Sequence, residues 1–153
     1  MTARNDIFDA VDTALSGIST SDPTPYNFTV AKVEKVVRDW NDSETFPRPW
    51  IGFRPGIETY DYNPSHIIRC SMELNIVAHM NPTNGTVDNH YSDIEKMTVD
   101  ILRALRQDVI RESCAESITL QQTQTSEGDP SAIETASLSM VFSINYYRTE
   151  PTT

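Results

Sequence analysis

The segment Glu134–Tyr147, ETASLSMVFSINYY, alternates with a period of two. Ala136, Leu138, Met140, Phe142, Ile144 and Tyr146 fall on one side, and Thr135, Ser137, Ser139, Val141, Ser143 and Asn145 on the other. A helix would scatter those apolar residues around its circumference, whereas a strand gathers them on one face. Burying the larger ones contributes roughly 1.5–3 kcal/mol each before entropy is counted. The gross gain, on the order of 10 kcal/mol, resembles the net stability of a whole domain. A slip of one residue would turn that face into water, so the register is fixed by the sequence itself.

A second stretch, HIIRCSMELNIVAHM, behaves the same way. Ile68, Cys70, Met72, Leu74, Ile76, Ala78 and Met80 alternate with Arg69, Ser71, Glu73, Asn75, Val77 and His79. Two half-polar strands argue for an antiparallel or mixed sheet rather than a parallel one covered on both sides. Both exceed the common strand length of about 5–6 residues. Strands of this length are expected to project beyond the core and hint at assembly.

The other elements follow in chain order. Asp6–Ile18 reads as a helix, with Ile7, Ala10, Val11, Ala14, Leu15 and Ile18 in one stripe and Asn5 or Asp6 as its cap. Ser19–Pro25 is a polar loop. Phe28–Trp40 fits a helical stripe or a strand, and its valines favour the strand. Trp50–Arg54 is a short strand hemmed in by Pro47, Pro49 and Pro55, and Gly56–Pro64 is a loop carrying Tyr60 and Tyr62. After the long strand Ile67–Met80 and the loop Asn81–His90, Ser92 and Glu95 form a capping box ahead of a second helix. Its stripe is Ile94, Met97, Thr98, Ile101, Leu102 and Leu105, with Val109 a turn later. Ser117–Thr125 is a polar strand, Ser126–Ser131 a hairpin tip, and Arg148–Thr153 a short polar tail. Together these predict an α+β fold. One mixed, mainly antiparallel sheet carries two helices packed on one face, in a single domain over residues 1–153.

Composition excludes several functions. The net charge of −10 is the wrong sign for a general nucleic-acid binder. No apolar run approaches a membrane span, and Met1–Thr20 lacks the basic start and apolar block of a signal peptide. The Asn27, Asn41 and Asn84 glycosylation patterns are therefore expected to be chance. Cys70 and Cys114 are expected to be free thiols. No glycine-rich phosphate loop and no metal-ligand cysteine pair occurs. His79, His90, Asp88 and Asp93 make the best polar cluster, and a solvated strand end running into a loop explains them. Ser92 is better explained as a helix cap than as a nucleophile. Neither an enzyme nor a bound metal or cofactor is expected.

Trp50, Phe53, Tyr60 and Tyr62, with Arg54 among them, support two readings. They cap the core and pack locally, or they form a contact with another subunit, since aromatics and Arg are enriched in interfaces. The polar faces of the long strands are a second candidate surface. Seven acidic and two basic residues follow Gln107, half the net charge. Read from the residues alone, they are expected to be dispersed solubilising charges.

The whole layout resembles the tail terminator (tail-completion, head–tail joining) proteins of tailed bacteriophages. The matching features are the N-terminal helix, the valine-rich FTVAKVEKVVRDW, the proline-led FPRPWIGFRPGIETY with Gly56 and Glu58, the long alternating strand, the helix SDIEKMTVDILRAL, and a last strand closing on NYYRT. The resemblance covers nearly all of the chain but rests on order and lengths, not on a diagnostic motif. It implies a homo-hexameric ring in the virion neck. Such a ring caps the tail tube protein, ends tail polymerisation and meets a head-side connector protein, and in contractile tails the sheath. The genome passes through its hole without specific binding. On this reading Trp50, Phe53, Arg54, Tyr60 and Tyr62 are candidates for the subunit or tube interface, and Glu127 and Asp129 for the lumen. The alternatives are a head-closure or tube-like protein, or a small ligand-binding domain.

Overall fold

A computed structural model describes residues 3–23, 25–37, 47, 49–62, 67–80, 87–109, 115–125 and 136–149. The elements are helix α1 (Ala3–Ser16), strand β1 (Lys32–Glu34), β2 (Trp50–Tyr62), β3 (Ile67–Met80), helix α2 (Val87–Ala104), which continues in a π-helical turn (Leu105–Val109), β4 (Ala115–Thr125) and β5 (Ala136–Thr149). They form an α+β fold with one mixed five-stranded sheet in the order β1-β2-β3-β5-β4. Only the β1–β2 pair is parallel.

The alternating stretches behave as their periodicity requires. Along β3, Ile68, Cys70, Met72, Leu74, Ile76, Ala78 and Met80 are buried, and along β5 so are Leu138, Met140, Phe142, Ile144 and Tyr146. The two strands pair over their full length, with Leu74 opposite Phe142 and Cys70 opposite Tyr146. Matching cross-strand partners put both apolar sets on one face. Ile7, Val11, Ala14 and Leu15 of α1 and Ile94, Met97, Ile101 and Ala104 of α2 join the same core cluster.

Asp100 fixes the chain between α1 and β1. Its buried carboxylate accepts from the Asn27 amide N–H (3.1 Å), the Asn27 Nδ2 (3.0 Å) and the Phe28 N–H (3.0 Å). One turn on, the Arg103 guanidinium lies 4.0 Å from the Tyr26 ring centre and donates to the Pro25 carbonyl. A charged acceptor on a helix thus satisfies the donors of a segment that has no strand partner of its own.

α1 starts at Ala3, so Asn5 and Asp6 lie inside the helix and neither is its cap. Four further expectations need correction. The strand expected over Phe28–Trp40 is limited to Lys32–Glu34 among the described residues, its last three positions lying outside them. A methyl group on Gly52 would lie well inside van der Waals distance of both the Val36 carbonyl oxygen and the Trp50 indole. Val36 therefore crosses over β2 rather than continuing beside it, and the valine content is used for packing by Val30 and Val33. Second, β2 does not end at Arg54. A bulge between Pro55 and Glu58 sets Gly56 and Ile57 opposite Glu73, and the strand runs on to Tyr62. Gly56 is required there, because a Cβ would meet the Glu73 and Asn75 side chains at 2.8–2.9 Å. Pro55 is tolerated beside a bulge. Third, α2 begins at Val87, so Ser92 lies inside the helix and the Ser92/Glu95 box is not its cap. Fourth, β5 extends to Thr149, which takes Arg148 out of the expected tail.

Candidate assembly surface

The sheet has two ends. At one, β2 and β5 begin and β3 ends; at the other, β2 ends at Tyr62, β3 starts at Ile67 and β5 finishes at Thr149. This second end carries much of the exposed apolar surface. Tyr60 and Tyr62 are 43% and 66% exposed on the helix-bearing face, and Ile57, Ile67 and Tyr147 are exposed on the opposite face. Arg148 lies 4.9 Å from the Tyr60 ring centre, a cation resting on an aromatic face. The geometry follows from the bulge, which places Glu58, Tyr60 and Tyr62 opposite Met72, Cys70 and Ile68 on the core side of the sheet.

A buried polar group supports this end from beneath. The Glu58 side chain accepts a hydrogen bond from the Tyr146 hydroxyl and an ion pair from Arg4 of α1 at 3.4 Å. Burial, and then the bond to Glu58, push the Tyr146 phenol well above its ordinary range. Burial likewise pushes the Cys70 thiol up. Through Arg4, Glu58 and Tyr146 this cluster holds α1 to the sheet. The sequence hid it, because Glu58 falls in a stretch that reads as loop and its face is set by the bulge.

The other end is closed on its polar face. Trp50 stacks on His79 with ring centres 5.3 Å apart and planes 16° from parallel. Trp50 Nε1 donates to Glu34, and His79 Nδ1 is 2.8 Å from the Ser137 hydroxyl. His79 is therefore buried and partnered, not part of a solvated strand end. Between the two ends runs a half-buried ladder of small polar groups, with Ser71 bonded to Ser143 (3.2 Å) and Asn145 to Ser117 (3.0 Å).

The five interface candidates therefore separate. Trp50 and Phe53 are fully buried, Trp50 under the Val36 crossing and Phe53 in the core, and present no surface to a partner. Arg54, Tyr60 and Tyr62 are exposed on β2. Glu127 and Asp129, and likewise Cys114, lie outside the described residues. Among the described residues, no group of His, Cys, Asp and Glu is placed to hold a metal ion, and no helix is long and apolar enough to cross a membrane.

No protein-family model matches the chain, and a search of curated proteins gives no significant match.

Proposed function

We propose that the protein is a structural subunit of a tailed-phage virion, a tail terminator whose closed ring caps the tail tube and joins it to the head-side connector. One observation carries the reading: the sheet end that bears Tyr60, Tyr62, Ile67 and Tyr147 exposes large apolar side chains that the chain's own helices leave uncovered. Large apolar side chains exposed on both faces of one sheet end are of the kind that contact with another protein covers. The net charge of −10 suits a ring through which DNA slides, since like charge gives no counterion release. Tube protein, connector protein and, in a contractile tail, sheath are its partners on this reading.

A second reading, a tube-like or other neck component, draws on the same surface. A terminator stops growth at one ring, whereas a tube subunit polymerises without limit. Electron microscopy and mass photometry of the purified protein, alone and mixed with tail tubes, separate them. The expected result is a single ring of uniform mass at tube ends. Long tubes made from this protein alone support the second reading, and a monomer that ignores tubes refutes both.

A further inference from the structure

We infer that copies of this chain join edge to edge, with β4 of one pairing antiparallel with the outer edge of β2 of the next, so that their sheets continue as one. The inference rests on the ring reading and assigns its subunit contact.

Both edges of the sheet are open among the described residues. β4 is the last strand on one side. On the other, β1 covers only Trp50, Ile51 and Gly52, leaving Arg54–Tyr62 without a strand beside it. Such edges present unpaired backbone groups and template pairing unless charge, proline or a bulge blocks them. Ser117–Thr125 contains no Asp, Glu, Lys, Arg or Pro. That matters in a chain of charge −10, because this edge lets two copies approach without bringing like charges together. The β2 edge is less plain: Arg54 and Asp61 would meet the uncharged β4 strand, Pro55, which lacks an N–H, sits at the bulge where the ladder is already interrupted, and Glu58 is turned inward to Arg4 and Tyr146.

The edges also match in direction and shape. β2, β3, β5 and β4 alternate up and down, so the next copy's β2 beside β4 continues the antiparallel pattern with all helices on the same side. Each open span is nine residues, about 30 Å of strand. Each carries one bulge, and the pairing path Pro55–Leu74–Phe142–Leu120 puts the two at neighbouring levels of the sheet. On the helix-bearing face the same path sets Tyr60 of one copy level with Ala115 of the other and Glu58 level with Ile118. A contact between two different edges is heterologous, and repeats until it closes.

Hydrogen exchange on the full-length protein, free and assembled on tail tubes, tests the inference. Amides in Ser117–Thr125 and in Arg54–Tyr62 should slow together by about tenfold or more on assembly. The paired substitution Gln121→Lys and Thr123→Lys, at exposed positions of β4, should weaken assembly at least about tenfold while leaving the urea midpoint of the free protein unchanged. Rings that form with both edges exchanging as before overturn the edge contact and leave the ring reading standing. Protection of β4 alone points to a two-fold β4–β4 pair and overturns the head-to-tail joint. No association with tubes overturns both.

Discussion

Replacing Asp100 by alanine isolates the contribution of one carboxylate to a segment that no strand supports. The substitution removes the acceptor for the Asn27 and Phe28 backbone N–H groups and for the Asn27 side chain. An orphaned buried donor costs about 1–3 kcal/mol. Asn27 is exposed and recovers water, while Phe28 packs against the core and does not recover it fully. The expected loss is therefore about 2 kcal/mol. Asp100→Asn keeps one acceptor oxygen but points an amide at a donor, and should lose about 1–2 kcal/mol. Arg103 holds the same turn through Tyr26 and Pro25, so Arg103→Ala combined with Asp100→Ala should depart from additivity. Urea melts of the wild type and the four variants, compared at equal slope, give these values. A loss below about 0.5 kcal/mol for Asp100→Ala, the range of an ordinary surface change, refutes the latch.

The strand register makes a sharper contrast. Phe142→Ala should cost about 3–5 kcal/mol by leaving a cavity, and Ser139→Ala on the opposite face under about 0.5 kcal/mol; equal losses in denaturant melts would refute the assigned faces. Tyr146 links stability to alkaline pH. Its folded pKa lies above the ordinary value near 10, so its contribution is complete below pH 10 and shrinks as pH rises further, where the unfolded chain ionises first, by about 1.4 kcal/mol per unit. Tyr146→Phe should cost about 1–2 kcal/mol at pH 7 by leaving Glu58 short of a donor, and that difference should vanish by about pH 11.5; a difference constant from pH 7 to 11.5 in urea melts would refute the coupling.

What the sequence discloses depends on how far apart the interacting residues lie. β3 and β5 are legible because alternation is a local property repeated many times, and their pairing follows from burying two such faces together. The stripe of α2 is legible for the same reason, but its start is not, since Ser92 and Glu95 match a capping box equally well inside a longer helix. β2 is misread at Pro55 and Gly56, two residues that usually end a strand and here sit at its bulge. Trp50 and His79 are far apart in sequence and meet only because β2 and β3 pair, so nothing local predicts that the ring is buried. The exposed Tyr60 and Tyr62 could be named from composition, but their face and their place at one end of the sheet needed the bulge.

That bulge divides β2 into two halves with different obligations. Trp50 to Phe53 is committed to the interior, while Glu58 to Tyr62 pairs with β3 but is largely exposed, with Glu58 tied to Arg4 and Tyr146. Closing the bulge with Ile57 taken into the ladder would turn Glu58, Tyr60 and Tyr62 to the opposite side of the sheet without altering any side chain that precedes them, whereas deleting Ile57 would leave all three facing the core. One residue therefore works as a rotary coupling: the outer half of the strand can be recoded for a different partner while the inner half continues to specify the same fold.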